Sequence, residues 1–277
     1  MAKLRIDENK CLRDGICSEV CPCKIFVADE TGLAKIDPTT EPICVQCGHC
    51  VAVCPGSAIS LDEVDGGQLP AVADNLPGLN DFFDLVQARR SIRSFKDELI
   101  PQEELIRLLE VTRWAPTAKN TQLLSWVLVS GKQQVQDFSR AVIDVFRNDE
   151  KMAGMVQAFE SGYDVINRGA PHLAIAYGPE KYKWGTFDAS IAMNTLELAA
   201  RAAKIGTCWG GFSTSAAALD KSIGKLVGIS EENKIFAVMM LGRPNFSYRR
   251  VPKRKELRLK IILMIWDIML SKPGAAI

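Results

Sequence analysis

Eight of the nine cysteines fall within the first 54 residues, and the second group reads Cys44-Val-Gln-Cys47-Gly-His-Cys50-Val-Ala-Val-Cys54-Pro55. This C-x2-C-x2-C-x3-C-P run is the spacing that holds a cubane iron–sulfur cluster. It constrains its segment closely, because several thiolates must converge on one centre and the backbone has to curl as a loop opening into a helical turn. A disulfide framework or a zinc site is the plainer reading of so many cysteines. Zinc, however, does not ask for four cysteines in eleven residues with a proline directly after. The start, MAKLRIDENK, is charged and lacks the apolar segment of a secretory signal. Reduced thiols and a cytoplasmic setting are therefore expected.

The first group is less regular, running Cys11-Leu-Arg-Asp14-Gly-Ile-Cys17-Ser-Glu-Val-Cys21-Pro22-Cys23, with an aspartate where the pattern wants a second cysteine. Where two such runs occur together, the fourth cysteine of one ligates the other centre. Pairing the halves gives a first site of Cys11, Cys17 and Cys54 with Asp14 as an oxygen ligand. The second site takes Cys44, Cys47, Cys50 and Cys21. Site one is open to a [4Fe-4S] cluster ligated by Asp14, a [3Fe-4S] cluster with that corner empty, a four-iron cluster recruiting Cys23, or no cluster. Asp14 also reads as a solvated turn residue beside Gly15, and Cys23 as a small buried side chain. His49, inside the second loop, reads as a surface residue or as a hydrogen-bonding neighbour of a sulfur that tunes its potential.

Residues 1–62 resemble a bacterial two-cluster ferredoxin, whose two cysteine loops are related by an approximate internal two-fold. Leu4 to Ile6 and Ala58 to Leu61 are expected to pair as terminal strands. Ile25 to Ala28 and Leu33 to Ile36 are expected to form a hairpin around Asp29 to Gly32. A unit of this size buries too little core for comfortable stability, so metal centres would carry part of its folding energy.

The remaining chain is long enough for a further domain of ordinary size. A composition 47% hydrophobic with a formal charge of +1 is that of a soluble globular protein and gives no reason to expect nucleic acid as partner. Residues 63–80 mix acids, glycines and prolines without periodicity and read as a linker. Beyond them, helices are expected over Pro101 to Trp114, Gln133 to Phe146 and Asp188 to Ala203, the last nearly apolar and so buried on most sides. Strands are expected over Ser125 to Val129, Leu173 to Tyr177 and Ile235 to Leu241. Asn148 to Glu160 reads as a helical lid.

No G-x-G-x-x-G fingerprint appears. Instead, Arg89-Arg90-Ser91-Ile92-Arg93 places three guanidinium groups and a hydroxyl where they could surround a phosphate. A solvated basic turn is the plainer alternative. Ala115 to Gln122 and Gly206 to Gly211 are rich in small residues and backbone donors, suited to close approach by a flat polar ring.

Together these segments are similar to the flavin-dependent nitroreductase family over residues 81–255. The resemblance implies an α+β fold, a mainly antiparallel central sheet flanked by helices, carrying FMN. Arg89, Arg90, Ser91 and Arg93 would hold the phosphate and ribityl chain. Pro116, Thr117, Ala118, Asn120 and Gln122 would line the ribityl chain and the ring edge. The usual serine is replaced by Ala118 and the usual proline by Leu123. Thr207, Cys208, Trp209, Gly210 and Gly211 would lie by the ring, and Arg250 with neighbouring Arg249 would close on the phosphate. Cys208 is expected to pack rather than to act as a nucleophile. No side chain is assigned as catalytic, since the flavin N5 carries the hydride chemistry.

The resemblance also implies a homodimer. Joining a cluster domain to a flavin domain suggests an external low-potential donor (a ferredoxin or an NAD(P)H oxidoreductase) feeding the clusters, with direct reduction of FMN by NAD(P)H as the alternative. The acceptor would be a small nitroaromatic, quinone or conjugated molecule. An electron-transfer relay to a larger complex, and a nonredox regulator held together by its cofactors, are the competing readings. Residues 256–277 include an apolar helix candidate, Leu257 to Leu270, interrupted by Arg258, Lys260 and Asp267 and shorter than the about 20 apolar residues of a membrane span. Packing across a dimer or against the ferredoxin-like domain is its expected role, and contact with an anionic membrane surface the alternative.

Overall fold

The computed structural model describes residues 3–262. Its contacts form one unit ending at Ser247 and another beginning at Tyr248.

Within the first unit, the N-terminal lobe closes on itself through β1 (Leu4–Ile6) and β4 (Ile59–Leu61), antiparallel with Leu4 opposite Leu61. β5 (Val64–Asp65) extends this sheet. β2 (Phe26–Ala28) and β3 (Ala34–Ile36) form the expected hairpin. Its turn is set by Asp29, whose carboxylate accepts from Thr31 N at 2.8 Å and Leu33 N at 3.0 Å. Helices α1 (Ile16–Val20) and α2 (His49–Val53) are single turns with matching ends. Gly15 and Gly48 precede them at φ 72° and 71°, a left-handed conformation that side chains resist. Cys21 and Cys54 follow them in extended conformation at ψ 113° and 112°. The two-fold relation of the cysteine loops is thus written in the backbone. The buried core here is small: Leu4, Cys17, Ile25, Phe26, Ala34, Val51 and Ile59.

The larger lobe is built on a four-stranded antiparallel sheet, β6 (Ser125–Ser130), β7 (His172–Pro179), β8 (Gly206–Trp209) and β9 (Asn233–Gly242), in the order β6-β7-β9-β8. Helices cover both faces, so its central strands are apolar on both sides. Leu173, Ile175, Val238 and Met240 face α5 (Lys132–Phe146), α8 (Gly211–Leu219) and α9 (Ser222–Leu226). Their alternates Ala174, Ala176, Ala237, Met239 and Leu241 face α4 (Gln102–Val111) and α7 (Gly185–Ala202). The fold is α+β, as expected. The segment expected to be a helical lid divides into a short 3-10 turn at Glu150–Met152 and α6 (Ala153–Glu160).

Three boundaries differ from those the sequence suggests. Val64 pairs with Leu61, and Asp65 accepts from Gly67 N at 2.9 Å, so residues 64–68 fold with the N-terminal lobe. α3 (Leu79–Ala88) already begins at Leu79, where Asp81 accepts from Gly78 N at 3.1 Å, leaving 69–78 as the irregular connection. The unit ends at Ser247 rather than 255 because its last ties are the Phe95–Pro244 bridge and Asn245, which donates to Phe95 O at 2.7 Å.

In the second unit, residues 248–262 have no helix or strand, and Leu257, Leu259, Ile261 and Ile262 are exposed. The expected helix is therefore absent over 257–262, consistent with the cost of nucleating an isolated helix without a packing face. The remainder of that stretch lies outside the described residues. Among the described residues, no helix is long and apolar enough to cross a membrane.

Candidate functional site

The cysteines divide between two cavities of matching size, about 350 and 360 Å³ counting space open to solvent. The first is lined by Cys11, Asp14, Cys17 and Cys54, the second by Cys21, Cys44, Cys47 and Cys50, the partition that the spacing predicts. Cys21 and Cys54 also accept equivalent backbone hydrogen bonds, from Ile25 N at 3.5 Å and Ala58 N at 3.3 Å. Hydrogen bonds to sulfur are among the factors that set a cluster's potential.

Burial, reinforced by neighbouring thiols, pushes the Cys50 thiol up to about 11 and raises Cys17 and Cys44. Several such thiols ionise together only around a cationic centre. Among the described residues, no group of three or more His, Cys, Asp and Glu side chains is arranged to hold a metal ion.

Asp14 reaches the first cavity from the start of α1, where its carboxylate also accepts from Ile16 N at 3.2 Å. Cys23 belongs to the second cavity, not the first, because the turn through Pro22 carries it to Ile43, whose carbonyl its thiol meets at 3.2 Å. His49 also lines that second cavity.

In the larger lobe, the arginine–serine segment lies directly on β8. Ser91 and Thr207 form a parallel bridge, with Ile92 N donating to Thr207 O at 2.7 Å. Arg89 pairs with the buried Glu197 of α7 at 3.0 Å, and Thr207 Oγ1 donates to the same carboxylate at 3.4 Å. Arg90 donates to Gln87 O, and Arg93 to Ser91 O at 3.4 Å. Cys208 is buried, and burial raises its thiol despite the opposing positive charge of Arg93, Arg168 and Arg89. A protonated packing thiol follows. Arg168 joins this basic neighbourhood from the loop before β7; it lies 75 positions from Arg93, so local pattern carries no signal for it.

The loop of Pro116, Thr117, Ala118, Asn120 and Gln122 is held from behind by α7. Asp188, 3% exposed, accepts from Ala118 N at 3.1 Å and from the Tyr182 hydroxyl at 2.5 Å. Tyr182 in turn meets Thr121 Oγ1 at 2.5 Å. Burial and Asp188 raise the Tyr182 phenol, which keeps it a donor. No motif in the sequence marks either residue for the site.

Thr117 and Gln122 open onto a cavity of about 800 Å³, counting space open to solvent, shared with Leu109, Leu124 and Trp126. Asn120 points elsewhere, donating to Val45 O at 3.2 Å and Gln46 O at 3.0 Å of the N-terminal lobe. Ser91 and Ile92 join Thr207 on β8, whose Cys208 lies in the field of Arg93, Arg168 and Arg89 and is followed by Trp209, Gly210 and Gly211, while Thr117 and Gln122 line the cavity beside Leu109, Leu124 and Trp126. Arg249 and Arg250 belong to the separate second unit.

The profile of the nitroreductase family matches residues 86–243. An Archaeoglobus fulgidus protein, provisionally named NADH dehydrogenase/NAD(P)H nitroreductase, is 29% identical over 164 residues, 58% of this chain and 83% of its own. Over 51 residues the chain is 45% identical to a component of the Na(+)-translocating ferredoxin:NAD(+) oxidoreductase complex of Acetobacterium woodii, covering 18% of this chain and 14% of that one. In structure, the chain superposes on a nitroreductase with bound FMN from Bacteroides fragilis with a TM-score of 0.56. The identity there is 22%, with 67% of this chain and 99% of that one covered.

Proposed function

Because the chain belongs to the nitroreductase family, we propose that it is an FMN-dependent oxidoreductase supplied with electrons through two iron–sulfur clusters in its N-terminal lobe. The observation that carries this reading is the seating of Arg89 to Arg93 on β8, with Ser91 bridged to Thr207 and Ile92 N donating to Thr207 O. Arg89, Arg90, Ser91 and Arg93, joined by Arg168, would receive the phosphate and ribityl chain.

Glu197 compensates part of this charge and fixes the Arg89 fork before any anion arrives. Thr207 to Gly211 and the loop from Pro116 through Thr117 and Ala118 to Gln122 would border the ring. Asp188 and Tyr182 hold that loop's backbone in place. When bound, FMN supplies hydride chemistry at N5 and the clusters supply single electrons. Cys11, Asp14, Cys17 and Cys54 would hold one cluster and Cys21, Cys44, Cys47 and Cys50 the other.

The exposed apolar face of α3, formed by Leu79, Phe82, Phe83 and Val86, supports a site completed by a second copy. The acceptor is a small nitroaromatic, quinone or conjugated ring system. The donor is an external low-potential ferredoxin or NAD(P)H oxidoreductase.

The test is anaerobic purification with iron, sulfide and FMN quantified on one sample, then paramagnetic resonance during stepwise reduction. Two interacting reduced cubanes and one FMN that reoxidises on adding a nitroaromatic or an enone are expected. A three-iron signal would leave the Asp14 corner open. Absence of FMN would refute the reading. Fully reduced cofactors that do not reoxidise with any small acceptor would shift it to an electron relay.

A further inference from the structure

Asn120 stands where the family resemblance calls for a flavin contact, yet its side chain is committed to the other lobe. Both N–H bonds of its amide meet consecutive carbonyls, Val45 O at 3.2 Å and Gln46 O at 3.0 Å. Those two residues are the ones between Cys44 and Cys47, so the amide grips the peptide linking two thiols of the second cysteine cavity. Its Oδ1 accepts from Gln122 Nε2 at 3.1 Å. The amide is therefore engaged through donors and acceptor alike, which orients its oxygen and nitrogen without ambiguity.

The backbone on both sides of the contact is bent to make it. Lys119, Asn120 and Gln122 adopt φ of 54°, 54° and 48°, and Gln46 adopts 52°. Left-handed conformations in non-glycine residues persist only where the surroundings over-determine them, and they gather at functional sites. Here the surroundings are visible. Thr117 Oγ1 accepts from Gln122 N at 3.1 Å, Asp188 accepts from Ala118 N, and Tyr182 meets Thr121. A loop braced from the core of the large lobe thus presents one amide outward to the small lobe.

We propose that Asn120 is a positioning residue that fastens the Cys44–Cys47 loop to the 117–122 loop. The second cysteine site, rather than the first, is thereby held against the loop assigned to the flavin edge. The functional meaning rests on the reading above, in which this loop borders FMN; the fastening itself does not. A fixed distance between an iron site and a flavin matters because electron transfer weakens steeply with separation, whereas a freely swinging lobe would offer each cysteine site in turn.

Hydrogen–deuterium exchange on the full-length, anaerobically purified protein tests this. Asn120→Asp retains size and the Oδ1 acceptor for Gln122 but has no N–H for Val45 and Gln46; Asn120→Ala removes all three bonds. Loss of two hydrogen bonds should speed exchange of residues 43–48 by about tenfold or more in both variants. A purely local role would move residues 117–122 alone. If exchange at 43–48 is unchanged in both variants, the fastening is refuted. Unchanged exchange with FMN binding weakened would return Asn120 to the flavin. Should Asn120→Ala loosen the whole molecule, Asn120→Asp decides, because it leaves the loop's internal bond intact. Iron and FMN contents of the same samples separate the two ideas: missing cofactors refute the proposed function, while exchange still decides on Asn120.

Discussion

His172 shows how a single side chain can set a pH limit without touching the proposed chemistry. It is fully buried, accepts from Ile100 N through Nε2 at 2.9 Å and meets Ser130 Oγ through Nδ1 at 2.8 Å. An Nε2 that accepts must be unprotonated, and burial pushes the imidazole down to about 4. The unfolded chain therefore takes up a proton first, near pH 6.5. Stability is undiminished above that value, falls by roughly 3 kcal/mol as the pH drops towards 4, and levels off below. Urea denaturation between pH 7 and 4 should show that loss in the wild type and a flatter profile in His172→Asn.

Glu197 sets a different limit. Glu197→Gln leaves the partly solvated Arg89 without its charge partner and should cost about 2–3 kcal/mol, less than for a fully buried pair. The urea midpoint should fall with unchanged slope.

Among the elements, α7 and β8 organise the larger lobe's part of the site. α7 was legible from its run of alanine, leucine and methionine, and buries Ala189, Met193, Leu196 and Ala200. Leu196→Ala should destabilise by about 2–5 kcal/mol in the same denaturation assay. β8 was not legible as a strand, because four residues beginning with glycine carry no alternating pattern. Pairing with β9 makes it one, Cys208 lying opposite Met240.

Gly206 at its start is small for a reason seen only in the fold: a Cβ there would stand 2.8 Å from the Ile92 side chain. Gly206→Ala should push the arginine–serine segment off β8 at a cost of about 1–3 kcal/mol. Faster amide exchange at Ile92 and weaker FMN binding are the readouts. The hairpin β2–β3 and strands β1 and β4 were legible in place, because alternation and a turn aspartate act over a few residues.

At the scale of the whole molecule, a small core stands beside a large one. Nine buried hydrophobic side chains serve the N-terminal lobe, so chelating iron should melt residues 3–68 while the sheet of the larger lobe persists. Calorimetry should then resolve two transitions where the loaded protein shows closer coupling. In the larger lobe, Phe82 and Phe83 lie exposed on α3. Replacing both with glutamate should convert the expected dimer to monomer in sedimentation analysis and lower FMN occupancy.

The sequence by itself predicted where the main strands and helices run and how the cysteines divide between two cavities. These depend on spacing and periodicity along the chain, which act locally. Tertiary structure alone decided that Glu197 anchors Arg89, that Arg168 joins the arginines, that Asp188 and Tyr182 brace the 117–122 loop, and that Asn120 turns to Val45 and Gln46. Most of these contacts join residues some 70 or more positions apart. Their partners are chosen by how helices and loops pack on the sheet, a choice no local pattern encodes.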